Sequence, residues 1–189
     1  MKSFTSESVC AGHPDKICDK VSDAVLDEAL KVDRYSRVAV ETMVTKNFLA
    51  MAGEVTTKAK LNYKKIARLV VKNLGYTIPK LNFSDKSEIL VKIHTQSPEI
   101  AVGVDNLGAG DQGMMFGYAS RETKELMPLP IMLAHRLAMG MDSLRETGRL
   151  PYMRPDGKTQ VTVGYEKNIP KIIENVVLAV PHDEKIDLA

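Results

Sequence analysis

The sequence predicts an α+β fold made of two related units, with helices packed on mixed or antiparallel sheets. Segments with helical spacing alternate with short β-branched runs, two of those runs can form a hairpin, and the order of elements begins to repeat after residue 98. With 189 residues, 44% of them hydrophobic, the chain can form one large core or two smaller ones.

The first unit is predicted to begin with a helix and a hairpin. Pro14 suits a first helical turn, and the apolar residues that follow at helical spacing indicate a helix from about Pro14 to Lys31. Two apolar runs over 37–44 and 49–56 are typical of strands, and the polar turn between them predicts antiparallel pairing.

A second helix and a further strand should complete this unit. Helical spacing over 63–74 ends at Gly75, a residue that often follows a helix C-terminus. The run over 89–93 is then a strand.

The second unit is predicted to be incomplete. The glycine- and aspartate-rich loop after Ser97-Pro98 separates the two units. Beyond it we expect a strand over 114–119, a long helix over 128–146, and strands over 160–165 and 175–180. A copy of the first plan would still need a helix and a closing strand.

Composition excludes several classes of protein. A net charge of +2, with no dominant block of Lys and Arg, argues against a dedicated nucleic-acid binder. Cys10 and Cys18 form no Cys-x-x-Cys pattern, which favours a reduced, cytoplasmic compartment. Neither a signal-peptide core nor an apolar run of membrane-spanning length is expected.

Gly12-His13-Pro14-Asp15-Lys16 stands where a helix begins. Free N–H groups at a helix N-terminus attract anions, His13 can donate a hydrogen bond to a phosphate oxygen, and Asp15 can hold a magnesium ion. The alternative is purely structural, because Pro and Asp are good first-turn residues and a histidine is an ordinary neighbour of a cap.

Gly108-Ala109-Gly110-Asp111-Gln112-Gly113 is the second candidate cluster. Three glycines allow close backbone approach, so Asp111 and Gln112 can be presented to a ligand. A turn between two domains is the alternative, and the cluster matches neither a P-loop nor a dinucleotide fingerprint.

Several further polar residues allow two interpretations. Glu41 and Glu54 interrupt apolar strands, where a carboxylate must be paired, bound to a cation or facing water. Arg154-Pro155-Asp156-Gly157-Lys158 is a favourable β-turn sequence. His94 and His135 lack a second histidine at ligand spacing, so we interpret them as core or surface histidines.

Taken in order, these segments resemble the S-adenosylmethionine synthetase family. Gly-Ala-Gly-Asp-Gln-Gly is a signature of that family, and the resemblance runs nearly end to end. The other segments that carry it are Phe4 to Val9, Gly12 to Lys16, Ser22 to Asp27, Gly53 to Thr57, Gln96-Ser97-Pro98, Met115 to Ala119, Leu126-Met127-Pro128 and Arg154-Pro155-Asp156.

The resemblance implies a methionine adenosyltransferase built from repeated β-α-β-β-α-β units. In that reaction the methionine sulfur attacks C5′ of ATP and displaces triphosphate, which is then hydrolysed to pyrophosphate and phosphate. Mg²⁺ and K⁺ are the implied cofactors. The implied partners are a second or further copies of the chain, in a homodimer or tetramer, or a C-terminal half; neither nucleic acid nor a membrane is expected.

The resemblance also assigns roles to individual positions. The implied ATP contacts are His13, which is also the catalytic candidate, with Asp156, Gly157 and Lys158. The implied methionine contacts are Glu54, Gln96 and Asp111. The implied metal ligands are Asp15 for Mg²⁺, Glu41 for K⁺ and, less directly, Glu7 for Mg²⁺.

Three departures accompany the resemblance. Family members are about twice this long, so the expected domains are an N-terminal domain over 1–98, an active-site loop over 99–107 and a truncated central domain over 108–189. The 99–107 loop is shorter than expected. Ala11 stands where an acidic residue usually precedes Gly12.

Three hypotheses follow from the length. The chain is the N-terminal part of a methionine adenosyltransferase and inactive alone, or a non-catalytic module that binds nucleotide or subunits, or a partial chain without a function of its own. Restored turnover on adding a C-terminal half, binding without turnover, and poor solubility are the respective outcomes that distinguish them.

Overall fold

The computed structural model describes residues 2–95 and 113–186. Gln96, Asp111, the 99–107 loop and most of the Gly108–Gly113 cluster lie outside the described residues, so the predictions made for them stay predictions. The chain divides into two compact units, one formed by residues 1–16 with 117–189 and the other by residues 17–116. They are called the outer-segment unit and the middle unit below.

The middle unit contains a mixed three-stranded sheet of order β2-β3-β4. Strands β2 (Arg37–Thr45) and β3 (Phe48–Thr56) form an antiparallel hairpin, and β4 (Glu88–His94) lies parallel to β3. A parallel neighbour needs a long crossover, and the helix between β3 and β4 supplies it.

Two helices bury one face each in the middle unit. Helix α1 (Pro14–Leu30) buries residues at spacings of four, and a 2.9 Å hydrogen bond between Ser22 Oγ and Thr42 Oγ1 links it to β2. Helix α2 (Tyr63–Asn73) begins at Asn62, whose side chain accepts a hydrogen bond from the Lys65 N–H, and a short 3₁₀ turn follows at Pro79–Leu81. The fully buried side chains of α1 are Ile17, Val21, Val25 and Ala29.

The outer-segment unit contains an antiparallel sheet of order β1-β5-β6. Strand β1 (Lys2–Val9) pairs with β5 (Lys158–Glu166), which forms a hairpin with β6 (Ile169–Ala179). Helix α3 (Leu129–Glu146) packs on β1 and β5 over buried Ala134, Val161 and Val163. Strand β6 is exposed along nearly its whole length.

Most predicted elements are confirmed, and the α+β class with them. The predicted helices at 14–31, 63–74 and 128–146 and the strands at 37–44, 49–56, 89–93 and 160–165 all form within two residues of their expected ends. The last strand also forms, although it begins six residues before the predicted start at Asn175.

The predicted strand over 114–119 is wrong. Residues 113–120 form neither helix nor strand, and Met114, Met115, Phe116 and Tyr118 are strongly exposed. A strand requires a neighbour to complete its hydrogen bonds, and local apolar content alone does not supply one. Strand β1 was not predicted, because its polar sequence becomes a strand through pairing with β5, about 150 residues later in the chain.

The predicted domain limits of 1–98 and 108–189 remain predictions. Within the structure, residues 1–16 group with 117–189, since β1 pairs with β5. No helix in the described ranges is both long and apolar enough to cross a bilayer.

Candidate functional site

Two segments meet in the outer-segment unit: residues 10–16, a loop together with the first turn of α1, and residues 154–158, a loop that ends at the first residue of β5. We call them the paired loops. Cys10 N–H donates to Gly157 O at 2.9 Å, and Gly12 N–H donates to Pro155 O at 3.2 Å. Backbone hydrogen bonds of this kind fix the two loops against each other without any particular side chain.

Two glycines allow this close approach. A Cβ placed on Gly12 would lie 2.5 Å from both the Cβ and the carbonyl oxygen of Pro155. A Cβ on Gly157 would lie 2.9 Å from Cys10 Sγ and 2.7 Å from Met141 Cε. Gly12 therefore meets rigid backbone whereas Gly157 meets side chains that can move.

The His13 ring is sheltered, and one of its two nitrogens already has a hydrogen-bond partner. Its side chain is 13% exposed, and Nδ1 accepts a 3.3 Å hydrogen bond from the Asp15 N–H. In a neutral imidazole an accepting Nδ1 leaves the proton on Nε2. His13 can therefore donate from Nε2 to an oxygen of an anionic ligand.

Asp15 stands in the first turn of α1 with its carboxylate 89% exposed and Oδ2 3.7 Å from His13 Nδ1. Mg²⁺ in proteins often uses one or two carboxylates and takes its other ligands from water and substrate phosphates. An exposed carboxylate beside a helix N-terminus, where anions also bind, fits a magnesium ion that bridges protein and phosphate.

The 154–158 loop carries three charged residues, Arg154, Asp156 and Lys158. Asp156 Oδ1 accepts a 2.7 Å hydrogen bond from Gly157 N–H, and Lys158 is exposed as the first residue of β5, opposite Val9 of β1. Arg154 anchors the start of the loop by donating to Asp183 Oδ2 at 3.0 Å.

Glu7 lies on the sheet. Its Oε1 accepts a 2.6 Å hydrogen bond from Gln160 Nε2 on the neighbouring strand β5. Within residues 2–95 and 113–186, no group of three or more His, Cys, Asp or Glu is arranged to hold a metal ion. A divalent ion at Asp15 or Glu7 would need further oxygen ligands, which Mg²⁺ often takes from water and substrate phosphates.

Helix α3 contacts the first of the paired loops through two residues that the sequence analysis did not single out. Asp142 Oδ2 accepts a 2.8 Å hydrogen bond from Ala11 N–H, and the Cys10 thiol donates to Ala138 O at 3.7 Å. Burial, followed by the charges of Asp142 and Asp156, raises the pKa of Cys10 to about 11. The one related signal in the sequence is Ala11, which stands where the family resemblance predicts an acidic residue.

The carboxylates predicted on strands lie in the middle unit and have different surroundings. Glu41 is exposed on β2, opposite Ala52 of β3. Glu54 on β3 is opposite His94 of β4, and Glu54 Oε1 lies 3.2 Å from His94 Nε2. His94 is 68% exposed, so it is a surface histidine paired with a carboxylate.

Comparisons with known proteins cover almost the whole chain. Residues 1–98 match the family model described as S-adenosylmethionine synthetase, N-terminal domain, and residues 106–189 match the central domain of the same family. The chain is 48% identical to the S-adenosylmethionine synthase of Leifsonia xyli subsp. xyli (strain CTCB07), with 98% of this chain and 51% of the relative aligned.

Two other relatives give the same result. S-adenosylmethionine synthase of Salinibacter ruber (strain DSM 13855 / M31) is 48% identical, and S-adenosylmethionine synthase 1 of Rhodopseudomonas palustris (strain BisB18) is 50% identical. Each alignment covers 97% of this chain and 49% of the relative. The chain thus spans about half the length of the curated relatives it matches.

Proposed function

The chain belongs to the S-adenosylmethionine synthetase family, and from that premise we propose that it is the N-terminal half of a methionine adenosyltransferase. The proposed reaction joins ATP and L-methionine to S-adenosylmethionine and releases pyrophosphate and phosphate. The chain is proposed to be inactive alone, because the relatives are about twice its length.

The paired loops carry this proposal. Direct backbone hydrogen bonds join the loop that carries His13 and Asp15 to the loop that carries Asp156 and Lys158. Histidine and lysine donors, a carboxylate for Mg²⁺ and a helix N-terminus form a suitable arrangement for a polyphosphate. We assign this cluster, with Gly157, to the triphosphate end of ATP.

The chemical step requires alignment and charge neutralisation. The sulfur lone pair of methionine forms the S–C5′ bond while the C5′–O bond breaks, and the bonding electrons leave with the triphosphate. Sulfur needs no general base, so the His13 Nε2 proton and the Lys158 ammonium act by stabilising the growing negative charge. A bound Mg²⁺ supplies further neutralisation of the phosphate oxygens.

The remaining proposed roles follow the family resemblance. Glu54, Gln96 and Asp111 are proposed to contact methionine, and Glu41 is proposed to bind K⁺. Asp15 is the proposed Mg²⁺ ligand, with Glu7 as a second candidate. The carboxylate chemistry supports both cation assignments, since K⁺ and Mg²⁺ are hard ions that prefer oxygen ligands. A cytoplasmic homodimer or tetramer is the proposed assembly.

The test combines the intact mass of the purified chain with an assay of S-adenosylmethionine formation. We expect 20.9 kDa and no turnover for the chain alone. Adding the part of the Leifsonia xyli relative that this chain does not cover should restore turnover, and His13→Ala should remove it again. Turnover by the 20.9 kDa chain alone would contradict the half-enzyme proposal.

A second candidate function is a non-catalytic subunit-association module, and β6 favours it. Six large aliphatic side chains of this one strand are each 45% to 56% exposed: Ile169, Ile172, Ile173, Val176, Val177 and Leu178. Exposed apolar side chains concentrated on one strand often mark a protein contact. Stable association with the uncovered part of the relative, without turnover, would support this function over the first.

A further inference from the structure

We infer that Asp142 is a positioning residue for the paired loops: its carboxylate, held on α3, fixes the backbone at Ala11 and thereby sets the positions of His13 and Asp15. The inference deepens the proposed function and rests on it for the identity of the ligand. Asp142 itself is not assigned any contact with substrate.

The backbone between Cys10 and His13 is fixed by hydrogen bonds to three different partners. The N–H groups of Cys10 and Gly12 donate to carbonyl groups of the 154–158 loop, and the N–H of His13 turns back to Cys10 O at 3.0 Å. The N–H of Ala11 donates instead to a side chain, Asp142 Oδ2, at 2.8 Å. The backbone between Cys10 and His13 is therefore attached to α3 through this carboxylate.

The Asp142 carboxylate is sheltered and lies beside a guanidinium group. Its side chain is 18% exposed, and Oδ1 lies 3.8 Å from a guanidinium nitrogen of Arg145, which is 12% exposed. A hydrogen bond to a sheltered, ionised acceptor is stronger than one between neutral groups. Arg145 also offsets the negative charge that Asp142 brings near a proposed anion site.

Asp142 supplies the loop with a carboxylate from a distant part of the chain. Ala11 has no polar side chain of its own, so the carboxylate at this point of the loop comes from α3, more than 130 residues later. The same helix contacts the neighbouring residues, since Ala138 O accepts from the Cys10 thiol and Met141 packs against Gly157. Helix α3 thus supports both paired loops, and Asp142 is the charged contact among these.

Three variants separate a positioning role from general stability. Asp142→Leu has a similar size but no acceptor. Asp142→Asn keeps an acceptor oxygen for Ala11 N–H and loses the charge. Glu146→Gln is the matched control, because Glu146 lies on the same helix and also pairs with Arg145, from which it accepts a 3.0 Å hydrogen bond, but is 58% exposed.

The experiment measures amide hydrogen exchange of residues 10–16 and His13 ring shifts by NMR, together with the Kd of the 189-residue chain for ATP with Mg²⁺. In Asp142→Leu, Ala11 exchange should rise about tenfold or more, the His13 ring should shift, and Kd should rise about tenfold, equivalent to 1.4 kcal/mol. Asp142→Asn should reverse most of each change, with Ala11 exchange still faster than in the parent chain because the acceptor is neutral, and Glu146→Gln should match the parent chain.

The inference fails if Ala11 exchange and the His13 shifts are unchanged in Asp142→Leu, whatever happens to nucleotide binding. It also fails if Ala11 exchange rises while Kd stays constant. If the parent chain does not bind ATP with Mg²⁺, the proposed function fails for this chain, and the exchange and ring shifts alone decide the role of Asp142. If Asp142→Leu does not fold, Asp142→Asn and Glu146→Gln decide. Ala11 exchange that is faster in Asp142→Asn than in both Glu146→Gln and the parent chain supports the inference, because the neutral acceptor binds the Ala11 N–H more weakly. Equal exchange in all three chains overturns it.

Discussion

The paired loops of the outer-segment unit and the strand carboxylates of the middle unit both carry proposed ligand residues, and they are built in opposite ways. In the paired loops, Gly12 is buried, backbone hydrogen bonds join distant segments, and His13 is 13% exposed. On the strands, Glu41 is exposed and Glu54 has an exposed histidine as its neighbour. The paired loops are fixed by backbone hydrogen bonds and by the packing around Gly12 and His13, whereas Glu41 and Glu54 are positioned by regular strand pairing.

The difference shows where this chain is preorganised. Ligand groups bind best when their partners already hold the correct geometry, because less freedom is lost on binding. By that criterion the backbone of the paired loops and the His13 ring are preorganised within the outer-segment unit, while the Asp15 and Lys158 side chains are exposed. In the middle unit Glu41 is exposed, and the Glu54 carboxylate is paired with the exposed His94.

The largest expected effect comes from filling the contact between the paired loops. Gly12→Ala would place a Cβ 2.5 Å from the Pro155 carbonyl oxygen, so one loop must move. We expect a loss of about 3 kcal/mol in the free energy of unfolding and loss of ATP binding. Urea denaturation and calorimetry measure the two effects.

Gly140→Ala is the control for that substitution. A Cβ on Gly140 meets nothing within 4 Å, and the residue lies inside α3. Replacing a helical glycine by alanine should stabilise the protein by about 0.5–1 kcal/mol. Equal effects of the two substitutions would mean that the loops are not tightly packed.

The raised pKa of the buried Cys10 thiol predicts that the free energy of unfolding falls by about 2 kcal/mol at alkaline pH. Because the folded-state pKa of Cys10 is raised from 9.0 to about 11, the folded protein keeps a proton that the unfolded chain loses. The associated stability is complete below pH 9 and falls by up to about 1.4 kcal/mol per unit as the pH rises toward 11.

Cys10→Ala isolates this effect, because other groups also titrate at alkaline pH. The stability difference between the parent chain and Cys10→Ala should shrink between pH 9 and 11. A constant difference across that range would show that the thiol at the paired loops is not desolvated.

A smaller effect is expected at Gly157. A Cβ there would meet the ends of Met141 and Cys10, which can move aside, so Gly157→Ala should cost about 1 kcal/mol. The ratio to Gly12→Ala, measured under the same conditions, tests whether backbone contact or side-chain contact fixes the paired loops. A greater loss of stability in Gly157→Ala than in Gly12→Ala would show that side-chain contact, and not backbone contact, fixes the paired loops.

The smallest effect is expected on the strands. The Glu54 and His94 side chains are 31% and 68% exposed, so Glu54→Gln should change stability by less than about 0.5 kcal/mol at neutral pH. A loss above about 1.5 kcal/mol on urea denaturation would show that this pair is as firmly held as the paired loops.

Local patterns predicted the elements whose cause is local. The spacing of Ile17, Val21 and Val25 gave α1, and two apolar runs around a polar turn gave the β2–β3 hairpin. Strand β1 and the contact between Asp142 and Ala11 depend on partners more than 100 residues away. Neither the polar sequence of β1 nor a single aspartate on a helix contains that information.

The candidate site was predictable to a different extent. The residue types around His13 and Asp15 indicated an anion and metal site, but the turn at Asp156 was an ordinary β-turn by sequence until the family resemblance joined the two. The structure adds the backbone hydrogen bonds that connect them. The predicted strand over 114–119 was wrong because apolar content was the sole argument for it.

The most direct test of preorganisation in the paired loops is an NMR titration of the chain with Mg²⁺ and tripolyphosphate, with backbone and histidine resonances assigned. The account predicts shifts at His13, Asp15, Gly157 and Lys158, with Glu41 and Glu54 unchanged. Binding that shifts the strand resonances and leaves the paired loops unaffected, or no binding at millimolar concentration, would contradict it.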